Sequence, residues 1–519
     1  ANNTSSAAAA AILPVNERLQ DLYEELKHER IYYQGEVVKE GFNVRSWKNR
    51  WMVVSESMIA YGEKGQRPRQ IFRLNNATIE PRKIIKGVKY ACLQLVLPDY
   101  NNRTFRFYSE AKESPSANEE WFAVLWNRTT ASRYRHQCRV LLQIPNTAIL
   151  SHLDAPITAL PIKLALNGKP LSFQLVEIVR DILRGVPIKT TTTTTDGDDD
   201  TDYGRSNDDD NKDGQERGVK YIQCARAVSS FECKNSGLSS SKAATFLKAA
   251  LQNVADSVSE IDLSDNPIED IPATQKIIKA TLDTVLARGK ACKNISKLTM
   301  AGCKLGPAII RILGQFVSKW HSIARPIRKY TMGGGYPLTH LDFSNNPLEN
   351  SGAQALKEAF HPKSGAKVTE LALAGCKIGD EGIEAIANIL QDVPTVHILQ
   401  LRENVCGDKG IYALCSAAVE HPSLRSLDVS GNDNVKRAGA IALAHLAQRN
   451  KKFKKFAFLN EELDETGLDM LRLLSIAASD RSERSKSVPL RPQSSKASVS
   501  KSAVAKKLAQ AAQRRKTHT

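Results

Sequence analysis

One apolar pattern recurs along residues 218–480 and limits what this part of the chain can fold into. Each copy has apolar residues at positions 0, +3 and +5, usually a small or amide residue at +8, and in most copies an apolar residue at +10. The last five of eight copies start 30, 28, 28 and 29 residues apart. The copies begin at Val228, Val258, Ile295, Leu338, Val368, Val396, Leu424 and Phe453. Such a period predicts a stack of repeated strand units rather than one closed globule.

A helical pattern that starts near a glycine follows each of the later copies, as in SGAQALKEAF and DEGIEAIANIL. Strands that alternate with helices predict a parallel sheet covered by helices, an α/β arrangement. The pattern resembles the leucine-rich repeat, and the full helix in each unit resembles the ribonuclease-inhibitor class. This resemblance implies a horseshoe with strands inside and helices outside, in which the +8 Asn or Cys satisfies the turning backbone.

Residues 31–135 follow a different pattern, in which short alternating segments precede one helix. The segments are GEVVKE, WKNRWMVVSE, MIAYGEK, QIFRLNN, YACLQLVL and TFRFYSE, and the helix is NEEWFAVLWNRTTASRY. Strands followed by one closing helix predict a small α+β domain, a β-barrel with a C-terminal helix. The region has 18 basic and 10 acidic residues, and the whole chain has a net charge of +17. This excess indicates a polyanionic partner.

Basic residues converge in the segment between Lys39 and Arg50 of this domain. Strand alternation places Lys48 and Arg50 on one face and predicts that Trp51 and Val53 point oppositely into a core. The preceding strand and an open loop bring Lys39 and Arg45 nearby. Four such cations suit a multiply phosphorylated headgroup, because arginine offers forked donors and lysine a compact charge.

The segment resembles the pleckstrin homology domain over residues 31–135. The likeness depends on Lys39 before a glycine, the Trp-Lys-x-Arg-Trp run, MIAYGEK, Pro68-Arg69-Gln70-Ile71, and Trp121 in the closing helix. The resemblance implies a phosphoinositide site, and in members that select 3-phosphorylated lipids the matching positions contact the inositol phosphates. Those positions are Lys39, Lys48, Arg50, Tyr61 and Arg69. A purely structural barrel is the alternative.

Four further segments complete the chain. Residues 1–30 predict an amphipathic helix that packs on the next domain, with an oligomerisation helix as the alternative. Residues 136–189 have no assigned type, with Asn167-Gly168 as a hairpin turn and a helix over LVEIVRDIL. The acidic segment 190–217 and the basic tail 481–519 have few bulky apolar residues, and we expect both to be disordered, the first as a linker.

Polar side chains on the strands of the repeats should line the concave face of the horseshoe. Surfaces of this kind bind proteins in most repeat architectures. The candidates for a protein-binding face are Asp342, Glu370, Arg402, Glu403, Arg425 and Asp428. The alternative is a face that is merely solvated.

No group of side chains in the sequence combines a nucleophile, an acid–base pair or metal-ligand spacing. His340 and His397 are near carboxylates, but no nucleophile accompanies them. The nine cysteines are scattered and are expected to be reduced core thiols. We therefore expect no intrinsic enzymatic activity, no cofactor, no metal site and no specific nucleic-acid partner.

The order of the domains resembles the layout of the CARMIL family, leucine-rich linkers of actin capping protein and myosin I. The resemblance implies an adaptor that is cytoplasmic and peripheral at the plasma membrane or cytoskeleton, with phosphoinositide membranes and a protein as its partners. The alternative is a regulator of a small GTPase, similar to the Ran-activating protein, that uses the loops at one edge of the repeats.

Overall fold

The computed structural model describes most of the chain between residues 15 and 463. The described ranges are 15–41, 46–84, 91–109, 117–156, 159–189, 219–287, 294–324, 338–450, 452–453, 455–458 and 461–463. Arg45, the whole acidic segment 190–217 and the whole basic tail lie outside them. Within these ranges, no helix has the length and apolar character needed to cross a bilayer.

Seven antiparallel strands form the N-terminal sheet, in the order β4-β3-β2-β1-β7-β6-β5. A helix α1 (Val15–His28) precedes them and a long helix α2 (Ala117–Val140) follows. The strands are β1 (Ile31–Glu40), β2 (Trp47–Ser55), β3 (Met58–Gly62), β4 (Gln70–Arg73), β5 (Thr78–Ile84), β6 (Ala91–Leu97) and β7 (Arg103–Tyr108). This arrangement is consistent with the expected pleckstrin-homology-like domain.

Helix α1 packs on the outer face of this sheet. Leu22 and Leu26 lie one helical turn apart, and both are buried in a small cluster with Met58, Ala60 and Ile71 of β3 and β4. Because residues alternate along a strand, these positions point away from the main core. The helix is therefore part of the N-terminal domain, as its amphipathic pattern predicted.

The second sheet consists of parallel strands in chain order, and in most units a helix follows the strand. Strands β8 (Ile162–Ala165) and β11 (Val228–Glu232) begin it, with α3 (Thr147–Asp154) before β8 and α4 (Phe173–Arg184) after it. The later strands are β12 (Glu260–Asp262), β13 (Lys297–Thr299), β14 (His340–Asp342), β15 (Glu370–Ala372), β16 (Ile398–Gln400), β17 (Ser426–Asp428) and β18 (Lys455–Phe458). The helices are α5 (Ser240–Leu251), α6 (Pro272–Ala287), α7 (Pro307–Ala324), α8 (Glu349–Ala359), α9 (Asp380–Asp392), α10 (Asp408–Ala418) and α11 (Arg437–Arg449).

The repeat sheet begins one unit earlier than the sequence indicated. Strand β8 pairs in parallel with β11, and Leu164 lies opposite Phe231. The hairpin turn predicted at Asn167-Gly168 is therefore wrong, because the strand before it pairs with the next repeat and not with the residues after the turn. The segment escaped detection because Pro161 and Lys169 stand where the pattern has an apolar residue and an amide.

An internal asparagine ladder joins successive repeats at position +8. Asn404 donates through Nδ2 to the carbonyls of Leu373 and Leu401, both at 2.9 Å, and accepts from the N–H groups of Cys376 (3.1 Å) and Ile378 (3.0 Å). Asn266, Asn346 and Asn432 likewise donate to backbone carbonyls of two repeats. The side chains supply the partners that the turning backbone would otherwise lack, as predicted.

Position +7 has a left-handed backbone in the eight units where the structure describes it. The residues there are Gly168, Asn235, Asp265, Gly302, Asn345, Gly375, Glu403 and Gly431, all with φ between 46° and 69°. Glycine, asparagine and aspartate tolerate this conformation, whereas it is strained for a longer side chain. Glu403 therefore has a backbone conformation that is unfavourable for glutamate.

A two-stranded antiparallel hairpin brackets the acidic segment. Strands β9 (Val186–Lys189) and β10 (Val219–Ile222) pair so that Lys189 lies opposite Val219. The repeat sheet already begins before this hairpin, at β8. The acidic segment therefore joins two paired strands near the first repeat, and it is not a spacer between the N-terminal domain and the repeats.

The last described repeat departs from the pattern. Residues Glu461–Leu463 form strand β19, which pairs antiparallel with β18, so that Phe456 lies opposite Leu463. We expected Glu461 and Leu463 to occupy the +8 and +10 positions of an eighth repeat. That expectation is wrong, because the chain reverses beside β18 and covers its free edge instead.

Helix α2 connects the two sheets through a shared core. Trp121 and Phe122 are buried in the same apolar cluster as the inner residues of both sheets. About two turns later, the fully buried Arg128 donates to Asp154 Oδ1 (2.8 Å) and to the Leu153 carbonyl in α3. Its guanidinium also lies 3.8 Å from the ring centroid of Tyr32 in β1. The two parts of the molecule are thus joined by packed side chains.

We predict that Asn404→Ala lowers the free energy of unfolding by about 3 kcal/mol, because four or more buried hydrogen bonds are lost and their backbone partners stay buried. Urea unfolding of the full chain measures this change. Asn388→Ala on the half-exposed face of α9 is the matched control, and its effect should stay within about 0.5 kcal/mol. Equal effects of the two substitutions would contradict the role of the ladder.

Candidate functional site

Three of the predicted phosphate ligands lie on the inner face of the N-terminal sheet, at one end. The register places Lys39 opposite Lys48 and Val37 opposite Arg50. Val37 is fully buried in the main core together with Met52, so the cations share the face of the core residues. Our expectation that Val53 points into that core is wrong: Val53 packs against α1 instead.

Lys39 is the buried member of this group, with a relative exposure of 6%. Its Nζ lies 4.7 Å from the ring centroids of both Tyr61 and Phe105 and donates to the Glu40 carbonyl at 2.9 Å. Aromatic faces attract a cation, and the attraction is stronger where water is excluded. Tyr61, predicted as a ligand, therefore lies beside Lys39 and helps to hold its ammonium group.

The surroundings of Lys39 oppose its positive charge. Burial, and then the nearby Arg103 and Arg50, lower the pKa of Lys39 to about 8, while Glu40 acts in the opposite direction. Glu40 is also paired with Arg106, whose Nη1 lies 3.4 Å from the Glu40 carboxylate. An anion placed among Lys39, Arg50 and Arg103 would offset the repulsion between them and raise this pKa again.

Arg103 is a member of the site that sequence analysis missed. It begins β7, and its guanidinium lies 5.1 Å and 5.3 Å from the ring centroids of Phe72 and Phe105. The alternation Arg103-x-Phe105-x-Phe107 contained the signal, because Phe107 is fully buried in the core and residues two apart share a face. We name Lys39, Lys48, Arg50 and Arg103 the basic cluster.

The other predicted ligands are placed differently. Arg69 is exposed and forms an ion pair with Glu63, although its backbone N–H donates to the Tyr61 carbonyl at 2.9 Å. Lys48 is exposed at the start of β2. Arg45 lies outside the described residues. The structure therefore brings Lys39, Arg50 and Tyr61 together and places Lys48 next to them.

Aspartates at position +4 of the repeats have a local structural task. Asp342 Oδ1 accepts from the N–H of Ser344 at 3.0 Å, and Asp428 Oδ1 accepts from both the N–H (3.0 Å) and the hydroxyl (2.6 Å) of Ser430. The Asp-x-Ser spacing in the sequence was the signal for this turn. Both carboxylates remain half-buried, so the turn accounts for much of their hydrogen bonding.

Charged side chains form pairs along the strand face, which is the face of the parallel sheet opposite the helices. In the first units, Lys234 Nζ lies 2.8 Å from Asp262 Oδ2, and Lys163 pairs with Glu232. Further along, His340 Nε2 is 3.9 Å from Glu370 Oε2. The lysines and carboxylates of the first units therefore form ion pairs between neighbouring strands.

Arg402 and Glu403, which follow β16, and Arg425, which precedes β17, are exposed charged side chains in the later repeats. Arg402 Nη2 donates to Glu403 Oε1 at 2.7 Å, and both side chains are 55% exposed. Arg425 is exposed on the next strand unit. An exposed pair of this kind contributes little to stability. These side chains are accordingly available to a partner, and the strained backbone of Glu403 lies among them.

The described residues contain no cluster of three His, Cys, Asp or Glu side chains that could hold a metal ion. The eight cysteines in these ranges are free and buried. Burial raises the pKa of several of these thiols, to about 12 for Cys303 and Cys415, for example. Such thiols are poor nucleophiles because the thiolate is the reactive form.

The parallel strands, their helices and the asparagine ladder are features of leucine-rich repeats. The leucine-rich-repeat family model matches residues 337–357, 366–387 and 420–444. These segments correspond to the fourth, fifth and seventh copies of the apolar pattern. The chain thus combines leucine-rich repeats with an N-terminal antiparallel sheet and its helix.

Several curated proteins resemble the repeats. NACHT, LRR and PYD domains-containing protein 13 of Homo sapiens is 34% identical over 26% of this chain and 13% of its own length. RAN GTPase-activating protein 2 of Arabidopsis thaliana is 32% identical over 24% of this chain and 23% of its own. Ribonuclease inhibitor of Sus scrofa is 23% identical over 26% of this chain and 29% of its own. The chain therefore spans less than a third of each relative.

Two solved structures are each similar to a minor part of this chain. The carboxyl-terminal PH domain of pleckstrin aligns with 20% of this chain and 98% of its own, at 14% identity and a TM-score of 0.17. The leiomodin-1 actin-binding site 2 aligns with 26% of this chain and 79% of its own, at 23% identity and a TM-score of 0.21.

We predict that Lys39→Met raises the free energy of unfolding at pH 7 by about 1 kcal/mol, because the buried ammonium group is destabilised in the folded state. The folded-state pKa of Lys39, about 8, lies below its unfolded value. The cost is therefore present in full below pH 8, and it disappears as the pH rises toward about 10.4. Unfolding curves of both proteins at several pH values measure the difference. A gain independent of pH would contradict this account.

Proposed function

We propose that this protein is a non-enzymatic adaptor that binds phosphoinositide membranes and a protein partner at the same time. The basic cluster binds the phosphorylated headgroup, and the strand face of the repeats, taken as the inner side of a horseshoe, binds the protein. The resemblance of the domain order to the CARMIL family motivates a place in actin cytoskeleton regulation, with the protein peripheral at the cytoplasmic side of the plasma membrane.

The observation that carries the lipid half of this proposal is the unbalanced charge around Lys39. A buried ammonium group with a pKa of about 8 beside Arg50 and Arg103 is costly in the free protein. A headgroup with several phosphates supplies the missing negative charge and accepts charge-assisted hydrogen bonds from lysine and arginine. In a barrel that binds no ligand, the buried ammonium group of Lys39 would lower stability without contributing to binding.

The protein-binding part of this proposal depends on which polar side chains of the repeats form hydrogen bonds inside the turns and which stay exposed. The +8 amides and the +4 carboxylates of Asp342 and Asp428 are used inside the turns. Arg402, Glu403 and Arg425 remain exposed on neighbouring units. Exposed charges of alternating sign select a complementary surface and increase the rate of association.

Regulation of a small GTPase is the second candidate, because part of the repeats is similar to a RAN GTPase-activating protein. Such an activity would use the loops at the edge where Asn266, Asn346 and Asn404 lie. Their amides already bind the backbone of their own and the neighbouring repeat. Single-turnover GTP hydrolysis by Ran with and without this protein tests the candidate, and stimulated hydrolysis would favour it over the adaptor.

We predict that Lys48→Gln together with Arg50→Gln lowers the affinity for phosphatidylinositol trisphosphate vesicles at least tenfold. Two charge-assisted contacts are lost, each worth roughly 1.5–3 kcal/mol. Vesicle cosedimentation measures the affinity, with phosphatidylcholine vesicles as the blank.

Lys319→Gln with Lys363→Gln is the matched control, since it removes the same charge from exposed positions in the repeat region. This control should bind the vesicles within about twofold of the wild type, because it changes only the long-range electrostatic attraction to the membrane, which salt screens. If the two double variants lose affinity equally, net charge and not the basic cluster explains the binding.

We predict that Arg402→Glu with Arg425→Glu changes the set of captured proteins without unfolding the repeats, because exposed substitutions usually change stability by only about 0.5 kcal/mol. A pull-down with quantitative mass spectrometry compares the variant with the wild type, and the melting temperature controls for folding. Lys276→Glu with Lys279→Glu, exposed on α6, is the matched control. Identical partner lists from all three folded proteins would exclude the strand face as the binding surface.

A further inference from the structure

Four large apolar side chains are exposed where helix α2 ends. Val140, Leu141, Leu142 and Ile144 have relative exposures of 67%, 59%, 95% and 94%. Single exposed apolar side chains are normal on a protein surface, whereas a contiguous group of them marks a binding surface. We name residues 140–144 the apolar loop. It belongs neither to the basic cluster nor to the strand face of the repeats.

The backbone of the apolar loop disfavours one of the residues that it carries. The N–H of Gln143 donates to the Cys138 carbonyl (2.8 Å), and the N–H of Leu142 donates to the Arg139 carbonyl (3.2 Å). This pair of bonds is a common way to end a helix, and glycine is the usual residue at the position of Leu142, where φ is 52°. An exposed leucine in a left-handed conformation lowers stability, and strain of this kind clusters at functional sites.

The charges around the apolar loop indicate what it contacts. Residues 121–153 contain four arginines and no aspartate or glutamate, and Arg139 is exposed in the last turn of α2. Two carboxylates share a cavity with Arg139, but Glu29 accepts hydrogen bonds from the turn between β2 and β3, and Glu56 pairs with Arg135 at 3.3 Å. Exposed apolar side chains next to arginine suit the interface of an anionic bilayer.

We propose that the apolar loop inserts into the interface of an anionic lipid bilayer, with Arg139 at the level of the lipid phosphates. A loop of this length is too short to cross the hydrocarbon region, so the contact is peripheral. Burial of the leucine and isoleucine side chains among the acyl chains supplies the attraction, and the arginine adds attraction to the anionic headgroups.

The apolar loop and the basic cluster lie at opposite ends of the N-terminal sheet. Arg135 of α2 pairs with Glu56, which directly follows β2. The last residue of β2, Ser55, lies opposite Ile31 at the start of β1, whereas Lys39 lies near the end of β1. Eight residues of strand span about 26 Å. Insertion of the loop is therefore a contact separate from the proposed headgroup site and does not depend on it.

The first experiment uses the full chain and vesicles of phosphatidylcholine and phosphatidylserine without phosphoinositide. Leu142→Gly with Ile144→Gln removes two apolar side chains, each worth roughly tenfold in affinity when buried. Cosedimentation should show an affinity at least about tenfold lower, and the loss should persist at high salt because apolar insertion is not screened. Tyr412→Gln with Ile441→Gln, exposed on α10 and α11, is the matched control and should bind within about twofold of the wild type.

The glycine variant separates binding from folding. Leu142→Gly alone relieves the left-handed strain, so its melting temperature should equal or exceed that of the wild type while its vesicle affinity falls. A merely structural loop predicts the reverse, which is a lower melting temperature with unchanged vesicle binding.

A fluorescence measurement locates the loop in the bilayer. Leu142→Trp adds one tryptophan to the five of the wild type. Phospholipid brominated on its acyl chains quenches tryptophans that enter the hydrocarbon region, so this variant should lose more fluorescence on such vesicles than the wild type does. Ile441→Trp on α11 is the control and should show no additional quenching.

The outcomes separate this inference from the proposed headgroup site. Equal binding of phosphatidylserine vesicles by the wild type and the Leu142→Gly, Ile144→Gln variant, or no additional quenching of Leu142→Trp, would overturn the insertion. A wild type that ignores these vesicles but self-associates through the loop would overturn it as well and assign the loop to a second copy of the chain. If Lys48→Gln with Arg50→Gln leaves phosphatidylinositol trisphosphate binding unchanged while the loop variants behave as expected, the headgroup site is rejected and the insertion stands.

Discussion

Helix α2 is the constraint on which both halves of the molecule depend, because it is buried against two sheets at once. Its first turns place Trp121 in the core of the N-terminal sheet, and its later turns place Asn127 and Arg128 against the first repeat. Burying polar groups is costly unless they are hydrogen-bonded. The contacts of Arg128 with α3 and with Tyr32 meet part of that requirement, and they join the two halves tightly.

The two candidate surfaces illustrate opposite uses of polar side chains. In the repeats, the amides and the short carboxylates form hydrogen bonds inside the turns. A few long charged side chains stay exposed and can bind a partner. In the N-terminal sheet, Lys39 is buried without a carboxylate of its own, since Glu40 is shared with Arg106. The first surface gains stability from its polar groups, whereas the second loses stability and gains a binding site.

Periodic features of the fold were predictable from the sequence. The apolar pattern that recurs from Val258 onward predicted the repeat strands, and the alternation in WKNRWMVVSE predicted β2, because core positions recur at fixed spacing. Strand β5 was missed since Pro81 and its charged neighbours hide the alternation. The first repeat was missed because a proline replaces its first apolar residue. In addition, no local sequence pattern shows that β8 pairs with the distant strand β11.

The basic cluster was predictable only in part. Lys48 and Arg50 follow from alternation within one strand, whereas Arg103 comes from a strand far along the chain and meets them only after the sheet has formed. The hydrogen bonds of Asp342 and Asp428 inside their own turns were missed, although the Asp-x-Ser spacing marks the turn, because the same position in the repeat pattern also predicts a solvated face.

The depressed pKa of Lys39 also makes this side chain a chemical reporter. At pH 8 about half of its amine is neutral, compared with roughly one in a few hundred for an ordinary lysine. Only the neutral amine attacks an acylating reagent, so the rate of Lys39 modification follows its protonation. An anion bound beside it holds the proton and slows the reaction. The acylation rate of this single residue therefore reads out the occupancy of the site, whatever the occupant is.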